Sequence, residues 1–146
     1  MFFETKRLTV RKFEESDLNN LHLLLSDENV MKYPFDKKHT KEFLFSNGLI
    51  ETPRIYAVEK NRTFVGYAIY HDYEKDSIEI GWVLFPQYWN NGFASELTET
   101  MIQIAKSNNK RLIIECDKEQ VATIAIANKF GFSLIDNDNG LYIFKL

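Results

Sequence analysis

The segment Pro86–Glu96, PQYWNNGFASE, is the stretch whose composition has the clearest chemical use. A β-type run, SIEIGWVLF over 77–85, stops at Pro86, which cannot donate to a strand ladder, and a helical pattern opens at about Gly92. The first N–H groups of a helix have no partner inside it and point out of its N-terminus. Together with the helix dipole they favour an anion. Gly92 permits a sharp turn and a close backbone approach, and Ala94 leaves the first turn unobstructed. A diphosphate needs that arrangement. An ordinary strand-to-helix turn, with Asn90-Asn91-Gly92 used only for backbone freedom, fits the same residues. One Gly with one Ala is a weaker signal than G-x-G-x-x-G, and the Walker lysine motif is absent.

The elements that hold this junction follow from periodicity. Residues 7–12 alternate, with Leu8 and Val10 on one face and Thr9 and Arg11 on the other, which predicts a strand. Ser16 is placed to cap a helix whose Leu18, Leu21, Leu24 and Leu25 share a face, and a second short helix is expected over 38–47. Strands over 54–59 and 63–70 flank the turn Lys60–Arg62, and a polar turn over Asp72–Asp76 leads into 77–85. A long helix from about Gly92 to Ser107 buries Phe93, Leu97, Met101, Ile104 and Ala105, and Asn108-Asn109 stop it. RLIIEC over 111–116 reads as a buried strand. Residues 119–130 have strand-like β-branched content, but their length and the ending Lys-Phe-Gly favour a helix with Gly131 just beyond it. A closing hairpin pairs 132–135 with 141–144 around Asp136–Gly140. The order β-α-α-β-β-β-α-β-α-β-β predicts an α+β fold: a mixed, mostly antiparallel sheet with flanking helices.

Composition narrows the function. A chain of 146 residues is expected to be a single domain, residues 1–146. With 45% hydrophobic and 27% charged residues it is globular rather than disordered. A net charge of −3 gives no basic footprint for nucleic acid. A single cysteine, Cys116, excludes an intrachain disulfide and a multi-cysteine zinc site. His22, His39 and His71 lack metal-ligand spacing, so no metal is expected. The start, MFFETKRL, is charged by its fourth residue, unlike a signal peptide, and no apolar run reaches the roughly 18–20 residues that cross a bilayer. The expectation is a soluble cytoplasmic protein without nucleic-acid or membrane partners.

Four short motifs, in order, give the chain a resemblance to the GNAT superfamily of acyl-CoA-dependent N-acetyltransferases, in particular the branch with ribosomal-protein N-terminal acetyltransferases. Glu4-Thr5-Lys6-Arg7-Leu8-Thr9-Val10-Arg11 resembles that family's opening strand, and Glu79–Pro86 the strand that receives the acyl-pantetheine. Trp89 through Ala94 match its (Q/R)-x-x-G-x-(G/A) loop with Trp at the first position, and Gln120–Thr123 with Lys129-Phe130-Gly131-Phe132 resemble "N-x-x-S … K-(L/F)-G-F". The resemblance implies a sheet that splays between the strand at 77–85 and the next, with coenzyme A in the wedge. It implies that backbone groups of Val83, Leu84 and Phe85 pair with pantetheine amides. It also implies that amides of Trp89, Asn90, Asn91, Gly92, Phe93 and Ala94 hold the diphosphate. Asn91 stands where the family often has Lys or Arg, which removes one charge-assisted contact.

The implied reaction is direct attack of an amine on the thioester of acetyl-CoA, as co-substrate. The ammonium must lose a proton, the developing oxyanion needs donors and the thiolate must leave. Glu79 is the candidate base, through a water; alternation sets it and Val83 on one face, opposite Ile78, Ile80 and Trp82. A solvated strand carboxylate is the other reading of Glu79. A backbone amide near Leu84 would serve the oxyanion. Ala127 stands where many members have the Tyr that protonates the thiolate; Thr123 aligns with a family Ser that reaches the sulfur, and Tyr88 and Tyr142 are substitutes without assigned places. Cys116 reads as a small buried hydrophobe, Trp82 as core, and His71 as a turn histidine or a cleft residue. Tyr33-Pro34-Phe35 either lines the amine pocket or is a packed loop. Two function classes follow: an N-acetyltransferase for a protein N-terminus or small amine, and an idle acyl-CoA-binding sensor or interaction module. A homodimer is common for the fold the resemblance implies.

Overall fold

Alternating apolar residues assemble one sheet. In the computed structural model, which describes residues 1–146, the strands are β1 (Phe3–Glu4), β2 (Thr9–Arg11), β3 (Ile55–Lys60), β4 (Thr63–Glu74), β5 (Ser77–Leu84), β6 (Arg111–Asp117), β7 (Ser133–Asp138) and β8 (Leu141–Lys145). They lie in the order β1-β2-β3-β4-β5-β6-β8-β7. The helices are α1 (Leu18–Leu25), α2 (Lys37–Asn47), α3 (Phe93–Ser107) and α4 (Val121–Lys129), with 3₁₀ turns at Glu15–Asp17 and Pro86–Tyr88. β5 pairs with β6 in parallel, whereas β1–β2, β2–β3, β3–β4, β6–β8 and β7–β8 are antiparallel. The α+β class and mixed sheet expected from the sequence are present; the two-residue β1 is additional.

The chain falls into two compact units that share β4 and β5. The first comprises Met1–Ile69 and Trp82–Phe93. Leu21, Leu24 and Leu25 of α1 and Leu44 of α2 cluster with Phe13, Ile55, Ala57, Phe64 and Tyr67, and Val83 and Phe85 pack on this core. The start of α1 is not capped by Ser16, whose hydroxyl only reaches Glu14 Oε2 at 3.4 Å. α1 has no side-chain cap bond, and a carboxylate instead braces the 3₁₀ turn that precedes it. Asp17 accepts the Glu14 N–H at 2.8 Å and both Arg11 Nη groups at 2.8 Å, and Arg11 also reaches Glu59 at 3.1 Å. Charge-assisted, bidentate bonds of this kind are the strong ones.

The second unit comprises Tyr70–Gly81 and Ala94–Leu146. Ile78 and Ile80 of β5, Leu97, Met101 and Ala105 of α3, and Leu112 and Ile114 of β6 are buried there. The four-residue spacing of the α3 residues is the stripe read from the sequence, although Ile102 is more buried than Ile104. Residues 119–130 resolve as α4, with Gly131 at φ +84° beyond its end. The closing turn shrinks from five expected residues to Asn139-Gly140, both at positive φ, the combination that matches strand twist in a two-residue hairpin. The turn expected over Asp72–Asp76 is corrected too: β4 continues to Glu74, whose N–H donates to Ser77 Oγ at 3.2 Å. His71 and Tyr73 are therefore strand residues. The β5–β6 ladder runs Ser77↔Arg111, Ile78↔Leu112, Glu79↔Ile113 and ends there, although β5 goes on to Leu84.

Candidate functional site

The strand-to-helix junction is held by bonds to its own backbone. Phe85 N–H donates to Val65 O at 3.0 Å, Tyr88 N–H to Phe85 O at 2.9 Å and Trp89 N–H to Pro86 O at 3.1 Å. The amides of Phe85 and Trp89 thus donate to carbonyls of the chain itself. The bonds of Tyr88 and Trp89 are the i→i+3 closures of the 3₁₀ turn at Pro86–Tyr88, whereas that of Phe85 crosses to β4. Trp89 acts instead through its side chain: the indole N–H donates to Leu84 O at 2.8 Å. Behind this junction, a Cβ on Gly66 would lie 2.1 Å from Val83 O and 2.8 Å from Leu84 Cα. Only a glycine lets β4 approach the end of β5 so closely.

Beyond Trp89 the chain reverses through positive φ at Asn90 (60°) and Gly92 (80°) and enters α3 at Phe93. Asn90, Asn91 and Gly92 are exposed. The N–H groups of Phe93 and Ala94 belong to the first helical turn, where no partner exists inside the helix. Asn91 Nδ2 donates to Trp89 O at 2.8 Å, so this side chain braces the loop where a cation was missing. A cation comes from elsewhere. The Arg7 guanidinium lies 4.1 Å from the centre of the Phe93 ring, and its Nη2 is 3.4 Å from the position a Cβ on Gly92 would take. Sequence reading missed this contact because Arg7 lies in the β1–β2 turn, far upstream; only the resemblance of the opening motif marked it.

In the second unit, Glu79 has a partner that the sequence did not assign. His71 Nε2 is 3.2 Å from Glu79 Oε1, with side-chain exposures of 11% and 18%, and His71 Nδ1 is 2.8 Å from Asp72 O. Tyr73, two residues on, donates its hydroxyl to Glu115 Oε1 at 2.8 Å; that bond first, and burial second, push the phenol up to about 12. Thr123 is half-buried in the first turn of α4 and shares no hydrogen bond with the Glu79–His71 pair. Ala127 is fully buried. Tyr142 stands opposite Cys116 on the β6–β8 ladder, and in the first unit the Tyr88 ring lies 6.2 Å from that of Phe93. Cys116 is buried as expected, and burial, with Asp117, pushes its thiol up. Trp82 is half-buried rather than core. Tyr33 is 77% exposed, whereas Phe35 packs edge-on against Phe43 at 5.9 Å. Lys129 Nζ reaches Ser95 Oγ, in the first turn of α3, at 3.3 Å. No group of His, Cys, Asp and Glu side chains could hold a metal ion, and no helix is long and apolar enough to cross a membrane.

Comparison with known proteins supplies the wider context. A family model described as an acetyltransferase (GNAT) domain matches residues 7–133. The uncharacterized N-acetyltransferase YnaD of Bacillus subtilis (strain 168) is 30% identical over 139 residues, spanning 90% of this chain and 82% of that protein. A GNAT-family acetyltransferase from Bacillus anthracis superposes with a TM-score of 0.86 at 27% identity, covering 100% of this chain and 98% of the other. RimL, a ribosomal L7/L12 alpha-N-protein acetyltransferase in complex with coenzyme A, shares the fold, with a TM-score of 0.78 at 20% identity over 97% of this chain and 94% of its own.

Proposed function

The chain belongs to the GNAT acetyltransferase family, and on that premise we propose that it transfers the acetyl group of acetyl-CoA to a primary amine, of a protein N-terminus or a small molecule, by direct attack on the thioester. The observation that carries this reading is the junction before α3, an exposed loop turned by positive φ at Asn90 and Gly92 and flanked by Arg7. Its chemistry fits a diphosphate: main-chain donors at a helix start, and a guanidinium to offset one of its two negative charges. The donors in this proposal are the amides of Asn90, Asn91, Gly92, Phe93 and Ala94, with Trp89 contributing its ring.

Val83 and Leu84 would meet the pantetheine arm, and an amide near Leu84 would face the thioester oxygen as charge builds on it. Trp89, bonded to Leu84 O, fixes the conformation of that backbone. Glu79 would accept the ammonium proton through a water. No acid replaces the family tyrosine at Ala127, which supports departure of the sulfur as a thiolate, with the Thr123 hydroxyl as the nearest equivalent of the family serine. Acetyl-CoA is the acyl donor; the chain's residues supply binding, orientation and proton transfer.

The test has two parts. Calorimetry should give saturable coenzyme A binding, with a dissociation constant on the order of micromolar to submillimolar, the range usual for enzyme substrates. Incubation with acetyl-CoA and a panel of primary amines and N-terminal peptides should release free coenzyme A thiol. Binding without thiol release from any amine would favour the idle acyl-CoA-binding module, and no binding would refute both.

A further inference from the structure

The contact between β4 and β5 in the second unit concerns a single proton. His71 Nδ1 lies 2.8 Å from the carbonyl oxygen of Asp72, a group that only accepts, so Nδ1 carries a hydrogen. The other ring nitrogen, Nε2, lies 3.2 Å from Glu79 Oε1. With Nδ1 protonated, a neutral ring turns the Nε2 lone pair toward the lone pairs of a carboxylate, which is repulsive. One added proton converts the repulsion into a hydrogen bond, whether it resides on Nε2 or on Oε1. The contact therefore has two states, differing by one proton and by a net charge of −1 against 0. At exposures of 11% and 18% the pair is sheltered enough for the charges to interact and open enough for water to reach it.

We propose that His71 and Glu79 act as one proton-holding pair, in which His71 positions Glu79 and shares the proton that Glu79 takes from the amine. The catalytic part rests on the acetyltransferase reading above; the sharing of the proton does not. The transfer balances simply. One proton passes from the ammonium through water to the pair, the nitrogen keeps its electron pair for attack, and the pair goes from −1 to neutral. The Asp72 carbonyl holds the ring in the orientation that aims Nε2 at Glu79. A ring nitrogen at hydrogen-bond distance gives the incoming proton a second place to reside.

Other titratable groups stand on the same strands and on β6. On β4, Tyr73 keeps its proton, with its hydroxyl committed to Glu115 of β6, and Glu74 and Glu79 add to the negative field around it. The His71 Nε2 to Glu79 Oε1 contact at 3.2 Å is where the shared proton would sit.

Imidazole nitrogen NMR of labelled protein tests the sharing without any substrate, the His71 signals being assigned by their loss in His71→Gln. The expected result is a ring that keeps hydrogen on Nδ1 at neutral pH and takes up its second proton at higher pH than in Glu79→Gln, by roughly tenfold in proton affinity. An unchanged midpoint in Glu79→Gln, or a neutral ring with its hydrogen on Nε2, overturns the proposal. Turnover tests the catalytic part. In His71→Gln the acid limb of kcat/KM should move to lower pH and its plateau fall, with coenzyme A affinity within about twofold of wild type; Glu79→Asp should retain part of the wild-type limb. A His71→Gln rate that falls with its acid limb unmoved would mark a merely structural histidine and overturn the catalytic part. If the wild type releases no thiol with any amine, the acetyltransferase reading fails, and the NMR midpoint still decides whether the proton is shared.

Discussion

Individual side chains set the strength of the chemistry. Glu79→Gln keeps the shape of the side chain and removes its proton affinity; kcat should fall by about 10²–10⁴, the usual contribution of a general base, while calorimetric coenzyme A affinity holds. A fall in affinity matching the fall in rate would assign Glu79 to binding instead. Asn91 gives the opposite kind of test. Its amide braces the loop through Trp89 O at 2.8 Å, and Asn91→Lys exchanges that brace for a charge. Coenzyme A should bind roughly three- to tenfold tighter at low salt, with the gain shrinking as salt screens it. Arg7→Ala should weaken binding in the same assay, since the cation on Phe93 is lost.

Strands and helices fix where those side chains stand. Gly66 is the point at which β4 touches the backbone of β5; Gly66→Ala forces a Cβ to within 2.1 Å of Val83 O. The displaced strand should cost about 1–3 kcal/mol in denaturant unfolding, the range for overpacking. The start of α1 responds to acid. Burial raises the proton affinity of Asp17, but the bonds from Arg11 and from the Glu14 N–H outweigh it, and the net shift is downward. A carboxylate depressed in the folded state contributes stability above its unfolded value, near 3.9, and loses it as pH falls through the lower folded value. Melting temperature should therefore drop more steeply on acidification below about pH 4 in the wild type than in Asp17→Asn, which is less stable at neutral pH. Much of this scale was readable from the residues. Periodicity located α1, α2, α3 and every strand but the two-residue β1, and Lys-Phe-Gly favoured a helix for the ambiguous 119–130, which is α4. What escaped was long-range. The Arg11–Glu59 contact and the His71–Glu79 contact depend on which strands lie side by side and in what register, and local spacing does not encode that; the Trp89 indole on Leu84 O, five residues back, depends on how the 3₁₀ turn folds the chain. His71 was read as a turn residue because Asp72, Glu74 and Asp76 have turn-forming composition, whereas pairing of β4 overrides that preference.

At the scale of the whole molecule, ligand binding is a stability term. If coenzyme A binds only the folded chain, a hundredfold excess over its dissociation constant adds about 2.7 kcal/mol, or roughly 5–10 °C in melting temperature for a chain of this length. An unchanged melting curve at that excess would leave the loop before α3 as a plain turn. Family membership and the fold agree with what the four short motifs implied, and the acceptor is what those motifs leave unspecified, since they describe the donor side. Cys116 has a practical consequence for finding it. The chain's lone sulfhydryl is walled in and held in its protonated, unreactive form. A colorimetric disulfide reagent added to a running reaction should therefore register almost no background from the native protein, so that screening candidate acceptors can proceed continuously, without quenching or separation.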